Sequence, residues 1–401
     1  MAEDRRLILR NFLSPDVCKE LEFIHKSCCT VGYRPNVFST TLPLLIATNS
    51  AHLIVPLVPI RERLKEKVEE YFGCEYELFV EFTGLISWCK GASIGWHSDD
   101  NRDYLKQRDF AVVCYLNSHG VDFNGGLFHF QDGEPSTVVP MAGDAIMYTA
   151  DNKNIHSVSE ISEGERITLS LWFSRDSAHD EDAKILSSLC DHSLNSSISM
   201  SPSYFPMLAP HNMYWFPPEE ASKFQSGIDI CSARLHVLGF DIYSSNEEPC
   251  STMDASNDLK LLNEPLHLAR GDKLLSLEFV NILHALQVVQ FYYWKAPELK
   301  KLYADAASPE PNESSVKVTQ LSEVQRGKIN SLKGMILKDC NLAENLLAKA
   351  SKGLQISFDC RSFSAAVAKW EAYTYTLLKE IVTNLPQWRR HGSIFSMVST
   401  D

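Results

Sequence analysis

The stretch from residue 77 to residue 175 most restricts the folds open to this 401-residue chain. It consists of short runs rich in β-branched and aromatic residues, separated by Gly, Asn or Asp turns. Strands and helices do not alternate here as they do in parallel α/β folds. The pattern predicts a β-sandwich or jelly roll, with strands at "ELFVEFTGLISW", "FAVVCYLN", "GLFHFQ", "DAIMYT" and "RITLSLWFS".

Two amphipathic helices are predicted before the first of these strands. Ser14 followed by Pro15 is typical of a helix N-terminus. Apolar residues then recur at helical spacing along one face, at Val17, Leu21, Ile24 and Cys28, and again at Ile60, Leu64, Val68 and Tyr71. Helices followed by a run of strands indicate an α+β fold.

The rest of the chain has a different texture. We predict one domain at 1–178, with its β core at about 77–175, and a linker or irregular connection at 179–216, which is rich in Ser and Pro. Helical patterns dominate 217–401, notably at 272–294, 319–337, 341–352 and 362–384. This mainly α-helical region carries no recognisable catalytic spacing, and we hypothesise that it presents a protein substrate or partner.

Charge and the N-terminal sequence restrict partners and location. The net charge of −13 argues against nucleic acid, because binding to phosphates needs clustered Lys and Arg. The start, "MAEDRRLILRNFL", lacks the apolar core of a signal peptide. Polar residues interrupt the apolar run at 274–294, which favours a packed helix over a membrane span. We expect a cytoplasmic or nuclear protein whose eleven cysteines remain thiols.

The sequence "GWHSDD" contains a candidate metal site. Residues at i and i+2 of an extended segment face the same side, so His97 and Asp99 can approach one ion while Ser98 points away. His156, in "DNKNIHSV" after another strand, would add a third ligand from the facing side of the sandwich. Two histidines and one carboxylate leave three positions open, as in non-haem Fe(II) oxygenases, whereas a structural zinc site has four closed ligands.

A basic residue follows the third candidate ligand. Period-two alternation in "RITLSLWF" places Arg166, Thr168 and Ser170 on one face of a strand. A buried guanidinium needs an anionic partner, and together with a hydroxyl it is suited to holding a carboxylate. A dicarboxylate co-substrate would meet this requirement.

The succession of H-x-D, "FAVVCYLN", "NGGLFHF", "GDAIMY", "NIHSV" and "RITLSLWF" resembles the 2-oxoglutarate and Fe(II)-dependent oxygenases, specifically their prolyl and lysyl hydroxylase branch. The resemblance covers roughly residues 8–175. It implies a double-stranded β-helix, a form of jelly roll, with supporting helices on one side. It implies that His97, Asp99 and His156 bind iron and that Arg166 binds the distal carboxylate of 2-oxoglutarate.

Further roles follow from the same resemblance. Tyr115 matches a tyrosine that reaches the co-substrate carboxylate, and Thr168 matches a small hydroxyl residue beside the basic one. Trp88 stands where many relatives have a tyrosine that hydrogen-bonds the co-substrate, so the hydrogen bond at this position is not implied for this chain. Gly125 and Gly126 match a tight turn. The implied cofactors are Fe(II), 2-oxoglutarate, O2 and ascorbate, and the implied reaction hydroxylates an aliphatic C–H on a prolyl or lysyl side chain of a protein.

Other interpretations stay open at the level of sequence. The β-domain could be a metal-binding scaffold without catalysis, or a nucleic-acid demethylase, which the acidic charge disfavours. The sequence "HDE" at His179 also has a carboxylate two residues after a histidine, but it lies in a polar stretch beyond the last strand. We expect structural or solvated roles for His179, His119 and His129. Asp100 adjoins the site, but alternation turns it away from the metal.

Overall fold

The computed structural model describes residues 6–195 apart from 32, 33, 35, 48 and 49, and then residues 287, 290–295, 297, 298 and 360–397. Twelve strands lie within this part of the chain: β1 (Arg6–Leu9), β2 (Thr30–Val31), β3 (Val37–Thr41), β4 (Phe79–Cys89), β5 (Ile94–His97), β6 (Phe110–Tyr115), β7 (Phe123–Gly125), β8 (Phe128–Phe130), β9 (Thr137–Val138), β10 (Ala145–Thr149), β11 (His156–Val158) and β12 (Ile161–Ser174). The five predicted runs in the β-rich stretch all contain strands, as expected from their alternation.

The strands form two antiparallel sheets. The large sheet has the order β1-β10-β6-β12-β4-β3-β2, with β7 also paired to β12, and the small sheet has the order β5-β11-β8-β9. Chain neighbours are seldom sheet neighbours, which is the hallmark of a jelly roll rather than a meander. The structure therefore confirms the predicted jelly roll.

Alternation along β10 shows how the large sheet divides its two faces. Ile146 and Tyr148 point to the small sheet and share a buried cluster with Phe128 and Phe130. Met147, one position along, belongs to a second cluster on the other face. The inner cluster encloses the candidate site, and the outer cluster is covered by helices.

Five α-helices have both ends in the described ranges: α1 (Pro15–Cys28), α2 (Leu42–Ala47), α3 (Val58–Phe72), α4 (Glu181–Asn195) and α5 (Cys360–His391). Both predicted N-terminal helices are confirmed, and the Ser14 hydroxyl accepts a hydrogen bond from the Val17 amide at the start of α1. Their apolar faces contribute Leu21, Ile24 and Leu64 to the outer cluster. No helix within these ranges combines the length and apolar character needed to cross a bilayer.

The first part of the predicted linker or irregular connection at 179–216 is helical rather than irregular. Residues Glu181–Asn195 form α4, which buries Ile185, Leu186 and Leu189. The Ser-rich composition concealed an apolar face at helical spacing. The predicted helix at 362–384 is confirmed within the longer α5, whereas 196–286 and the predicted helices at 319–337 and 341–352 lie outside the described residues.

The described helical residues near the C-terminus pack on the N-terminal helices. Phe23 of α1 stacks on Trp294, with ring centroids 5.3 Å apart, and meets Tyr373 of α5 edge-on at 5.9 Å. At the other end of α5, the Ile394 amide donates to Asp182 Oδ2 of α4 at 2.8 Å. These contacts join the end of the chain to the helical layer that covers the outer face of the large sheet.

Candidate active site

His97 and His156 come from neighbouring strands of the small sheet. They are a directly opposed pair on β5 and β11, and their ring centroids lie 4.3 Å apart. His156 is also opposite Phe130 on β8, and its ring stacks on Phe128 at 4.8 Å. The sheet register therefore sets the spacing of the two imidazoles.

Asp99 completes a cluster of three ligand-type side chains. It lies in the turn after β5, and one potential ligand atom from each of His97, Asp99 and His156 lies within 4.8 Å of the others. Within the ranges that the structure describes, no other group of three or more His, Cys, Asp or Glu residues meets this condition. The structure thus brings together the three residues that the sequence singled out.

Both imidazoles have their Nδ1 atoms bonded to backbone. His97 Nδ1 lies 2.8 Å from the carbonyl oxygen of Gly95, and His156 Nδ1 lies 2.9 Å from that of Asn154. A carbonyl can only accept, so each Nδ1 carries the proton and each Nε2 presents a lone pair. Burial lowers the pKa of His156 to about 4, which keeps its imidazole neutral and able to coordinate a metal at pH 7.

The guanidinium of Arg166 forms a second polar centre in the same sandwich. Arg166 is 3% exposed, and its Cζ lies 5.2 Å from the ring centroid of Tyr115 and 5.9 Å from that of Trp88. Arg166 Nε and Tyr115 Oη are buried without a hydrogen-bond partner among the described residues. Burial raises the pKa of Tyr115, and the positive charge of Arg166 opposes that rise. Two buried donors without acceptors form a fitting cradle for a carboxylate.

A cavity between the sheets connects the two polar centres. Thr168 and Ser170 also face it, although the Thr168 hydroxyl already donates to the Ile86 carbonyl at 3.2 Å. The cavity walls are otherwise mainly apolar, and its lining consists of Ile86, Trp88, Ile94, His97, Asp99, Val112, Val113, Phe128, Tyr148, His156, Val158, Arg166, Thr168, Ser170 and Trp172. Tyr115 is adjacent to Arg166 but does not line the cavity.

Two glycines of the predicted tight turn make room for this arrangement. Gly125 and Gly126 have φ values of +77° and +64°, in the left-handed region that favours glycine. A Cβ on Gly126 would lie 2.3 Å from Ile161 Cδ1 and 3.1 Å from Arg166 Cδ. A side chain at this position would therefore collide with Ile161 and crowd Arg166.

The remaining sequence candidates lie apart from the cluster. Asp100 accepts hydrogen bonds from Ser98 and Lys106, at 2.7 Å and 2.8 Å, and is not a member of the ligand group. His129 is bonded to Thr137, and His179 is paired with Asp176. His119 meets Phe123 edge-on at 6.0 Å.

The sequence interpretation missed three residues beside the candidate ligands. Tyr148 donates a hydrogen bond to Asp99 Oδ2 at 3.0 Å, and Arg108 Nη1 lies 3.4 Å from the Asp99 carbonyl. Arg108 also lies over the ring of Trp172, with its Cζ 3.9 Å from the centroid. Alternation in "DAIMYT" would have put Tyr148 on the inner face, but its contact to Asp99 depends on how the two sheets meet.

Comparison with known proteins gives the class of the domain. Residues 84–174 match the family model described as the 2OG-Fe(II) oxygenase superfamily. This segment holds all three candidate ligands together with Arg166. It is a 2OG-Fe(II) oxygenase domain, in agreement with the resemblance seen in the sequence.

The named relatives belong to the prolyl hydroxylase branch of that superfamily. Human prolyl 3-hydroxylase 1 is 31% identical over 224 residues, which are 44% of this chain and 29% of the relative. Chicken prolyl 3-hydroxylase 1 is 26% identical over 227 residues, 45% of this chain and 30% of the relative. A solved prolyl-4-hydroxylase from Pseudomonas putida matches 44% of this chain and 95% of its own, at 17% identity and a TM-score of 0.36. The chain thus spans less than a third of the two prolyl 3-hydroxylases.

Proposed function

We propose that this protein is an Fe(II)- and 2-oxoglutarate-dependent dioxygenase that hydroxylates a prolyl side chain in a polypeptide. One observation carries the proposal: the His97, Asp99 and His156 cluster shares a cavity with Arg166, whose buried Nε has no partner among the described residues. A scaffold would not require a separate buried cation that faces the same cavity.

His97, Asp99 and His156 would hold the iron. Their donor set fits this metal, because two neutral imidazoles and one carboxylate on one side leave positions for co-substrate and O2. When bound, iron with 2-oxoglutarate supplies the oxidation, in which one atom of O2 enters the C–H bond as a hydroxyl and the other enters succinate as CO2 is released. The protein's own task is to fix these groups and to keep water away.

Arg166 would anchor 2-oxoglutarate through its distal carboxylate. A guanidinium can give a carboxylate two parallel hydrogen bonds. The Tyr115 hydroxyl lies next to Arg166 behind the cavity lining, and it would become a further donor where the carboxylate extends past the guanidinium. Thr168 lies on the same face of β12, two residues further along. Trp88 supplies an aromatic wall of the cavity in place of a phenol. These contacts would orient the co-substrate along β12 toward the metal ligands.

The apolar part of the cavity fits an aliphatic reacting group. Ile94, Val158 and Trp172 line it beside the ligand cluster, so a saturated ring could enter and displace water. The relatives are named prolyl 3-hydroxylases, which favours proline over lysine as the target. Ascorbate would serve as the accessory reductant that keeps the iron ferrous.

The first experiment is anaerobic. Fe(II) and then 2-oxoglutarate are added to the full-length protein, and the visible charge-transfer band of the chelated keto acid is recorded. We expect a band in the wild type, none in His97→Ala, and a weaker one in Arg166→Ala at the same co-substrate concentration. Folded wild-type protein that takes up metal but gives no band would refute the assignment.

A second experiment addresses the substrate. Peptides that contain proline or lysine are incubated aerobically with the loaded enzyme, and succinate formation is compared with the gain of one oxygen in peptide mass. Proline-dependent succinate and a matching mass increase would support the proposal. Oxygen incorporation into lysine alone, or into a methylated nucleobase alone, would replace the proposed substrate class.

A further inference from the structure

Tyr148 lies beside the candidate iron ligands, yet the proposed function gives it no role. Its side chain is 2% exposed and projects from β10 of the large sheet toward the small sheet. Its hydroxyl donates to Asp99 Oδ2 at 3.0 Å and lies 3.4 Å from His156 Nε2. The residue therefore joins a strand of one sheet to the ligand cluster of the other.

The hydrogen bond distinguishes the two oxygens of Asp99. Oδ2 is engaged by Tyr148, whereas Oδ1 lies 3.9 Å from His156 Nε2. Neighbouring ligands at about 2 Å from an ion stand roughly 3 Å apart, so metal binding would draw these two atoms about 1 Å closer together. Oδ1 of Asp99 is thus the oxygen that remains for an ion, because Oδ2 accepts the hydrogen bond from the neutral Tyr148 hydroxyl.

The backbone of Asp99 is fixed by separate contacts. Arg108 Nη1 donates to its carbonyl oxygen at 3.4 Å, and the next amide, that of Asp100, donates to the Ala150 carbonyl at 3.1 Å. These backbone contacts do not restrain the side-chain torsions χ1 and χ2 of Asp99, of which χ2 is a broad torsion in aspartate. Tyr148 restrains rotation about χ2.

Tyr148 is itself held rigidly enough to act as a restraint. Its ring packs against Phe130 at 5.5 Å, Phe128 at 5.7 Å and His156 at 5.0 Å between centroids. Phenylalanine would fill the same space, and a buried hydroxyl is costly unless it is bonded. The hydroxyl therefore has a specific use at this position, and its acceptor is a candidate ligand.

We propose that Tyr148 is a positioning residue of the metal centre, whose hydroxyl orients Asp99 so that only Oδ1 faces the ion. This inference rests on the proposed function, because the ion concerned is the one that His97, Asp99 and His156 would hold. Loss of an outer-sphere hydrogen bond to a ligand typically weakens metal binding by about 10–100-fold. We expect Tyr148→Phe to show a loss of that size.

The test measures metal binding rather than turnover. Mn(II) and Co(II) are titrated anaerobically into wild type and Tyr148→Phe, and the dissociation constants and the visible spectrum of bound Co(II) are compared. The expected result is a Kd about 10–100-fold higher and a changed Co(II) spectrum, since the carboxylate can rotate or bind through both oxygens.

Two matched variants separate the hydroxyl from packing and from nonspecific effects. Phe130→Leu disturbs the packing around Tyr148 and His156 but leaves the hydroxyl, so its melting temperature should fall while its Kd rises much less than that of Tyr148→Phe. Tyr104→Phe removes a hydroxyl from a side chain that is 73% exposed and should change neither. An unchanged Kd in Tyr148→Phe, or an equal weakening in Phe130→Leu, would overturn the inference while wild-type metal and 2-oxoglutarate binding still support the proposed function. Failure of the wild type to bind metal would instead overturn the proposed function.

Discussion

His97 and His156 face each other across the antiparallel pair of β5 and β11, at positions where the register makes them direct partners. Residues 59 positions apart in sequence thus become neighbours through strand pairing, with ring centroids 4.3 Å apart. β5 is an edge strand whose sheet neighbour is β11, so the His97 position depends on that one pairing.

This relationship predicts that either histidine is indispensable for metal binding. His156→Ala should weaken Mn(II) binding by more than the roughly 10–100-fold expected for an outer-sphere residue, because it removes a ligand. Calorimetric titration measures the change. His129→Ala, on the adjacent strand β8, removes a histidine that is bonded to Thr137 instead and should bind Mn(II) as wild type does. Equal affinities in His156→Ala and wild type would contradict the assignment.

Arg166 should govern affinity for the co-substrate and not for the metal. Arg166→Met removes charged hydrogen bonds of about 1.5–3 kcal/mol, which corresponds to roughly 10–100-fold weaker 2-oxoglutarate binding. Titration of 2-oxoglutarate into Mn(II)-loaded protein gives this value. Lys153→Met removes a cation whose side chain is 55% exposed and serves as the control. A co-substrate affinity that survives Arg166→Met would exclude Arg166 as the carboxylate anchor.

Gly125 provides a test of backbone strain next to the site. Its φ is +77°, and an added Cβ would lie 2.0 Å from the carbonyl oxygen of Glu160. Gly120 shares the φ of +77°, but a Cβ added there would have nothing within 4 Å. In both alanine variants the left-handed backbone should lower the free energy of unfolding by about 1 kcal/mol or more. Gly125→Ala should lower it by several kcal/mol in addition, because the backbone must shift to relieve the clash. Urea unfolding compares them, and similar losses would contradict the steric argument.

The buried Cys18 and Cys114 should resist modification in the native state. Burial raises the pKa of Cys18 to about 11 and raises that of Cys114 as well. Only about one Cys18 thiol in a thousand would be a thiolate at pH 8, and the thiolate is the reactive form. Iodoacetamide labelling followed by peptide mass analysis should leave both unmodified while the more accessible Cys74 reacts. Rapid labelling of Cys18 in folded protein would show that the helical layer opens.

Arg61 of α3 joins β4 and α4 to the segment after α5 through a buried ion-pair group. It donates to Asp182 at 2.6 Å, to Glu181 at 3.3 Å and to the Thr83 hydroxyl at 2.8 Å, and Asp182 also accepts the Ile394 amide. Arg61→Gln leaves two buried carboxylates without their cation, which costs about 3–5 kcal/mol. We therefore expect a large loss in the free energy of unfolding at pH 8.

This loss should depend on pH in a defined direction. Burial raises the pKa of Glu181 from 4.5 to about 7, even though Arg61 opposes the rise. A raised pKa means that the folded state binds the proton more tightly, so stability falls as pH increases from about 4.5 to 7. Without Arg61 the pKa of Glu181 should rise further, so the fall should continue to higher pH, and Arg61→Gln should recover stability near pH 5. Arg63→Gln, at an exposed position of α3, should show neither effect, and a loss in Arg61→Gln that is independent of pH would refute the explanation.

The sequence predicted those features of the fold and the candidate site that depend on a local pattern of residues. Alternation placed His97 with Asp99 and aligned Arg166 with Thr168, and the order of strands brought His156 to the same site. The role of Tyr148 was not predicted, because its partner Asp99 belongs to the other sheet. The alternation of residues along one strand does not predict contacts between sheets. In the same way, the pairing of Arg61 with Asp182 joins residues 121 positions apart.

Composition misled the interpretation of α4 for a different reason. Serines and polar residues around Ile185 and Leu189 favour a loop by propensity, but burial of these apolar side chains against the helical layer outweighs that preference. The long helix α5 was recognised at 362–384 but continues past Pro386 to His391. Tertiary contacts near Trp388, which is 1% exposed, stabilise a segment that a proline would ordinarily shorten.

The two halves of the cavity belong to different sheets. The small sheet and its following turn carry the candidate metal ligands, whereas the large sheet carries Arg166, Thr168 and Trp88. A substitution of Arg166 or Thr168 therefore alters one wall of the cavity and leaves the strand pairing that places His97 and His156 on the other wall unchanged. Tyr148 crosses this division, since it belongs to the large sheet and holds Asp99 of the other wall. At that point the two walls are coupled, so a shift of β10 in the large sheet would move a hydrogen-bond donor to Asp99.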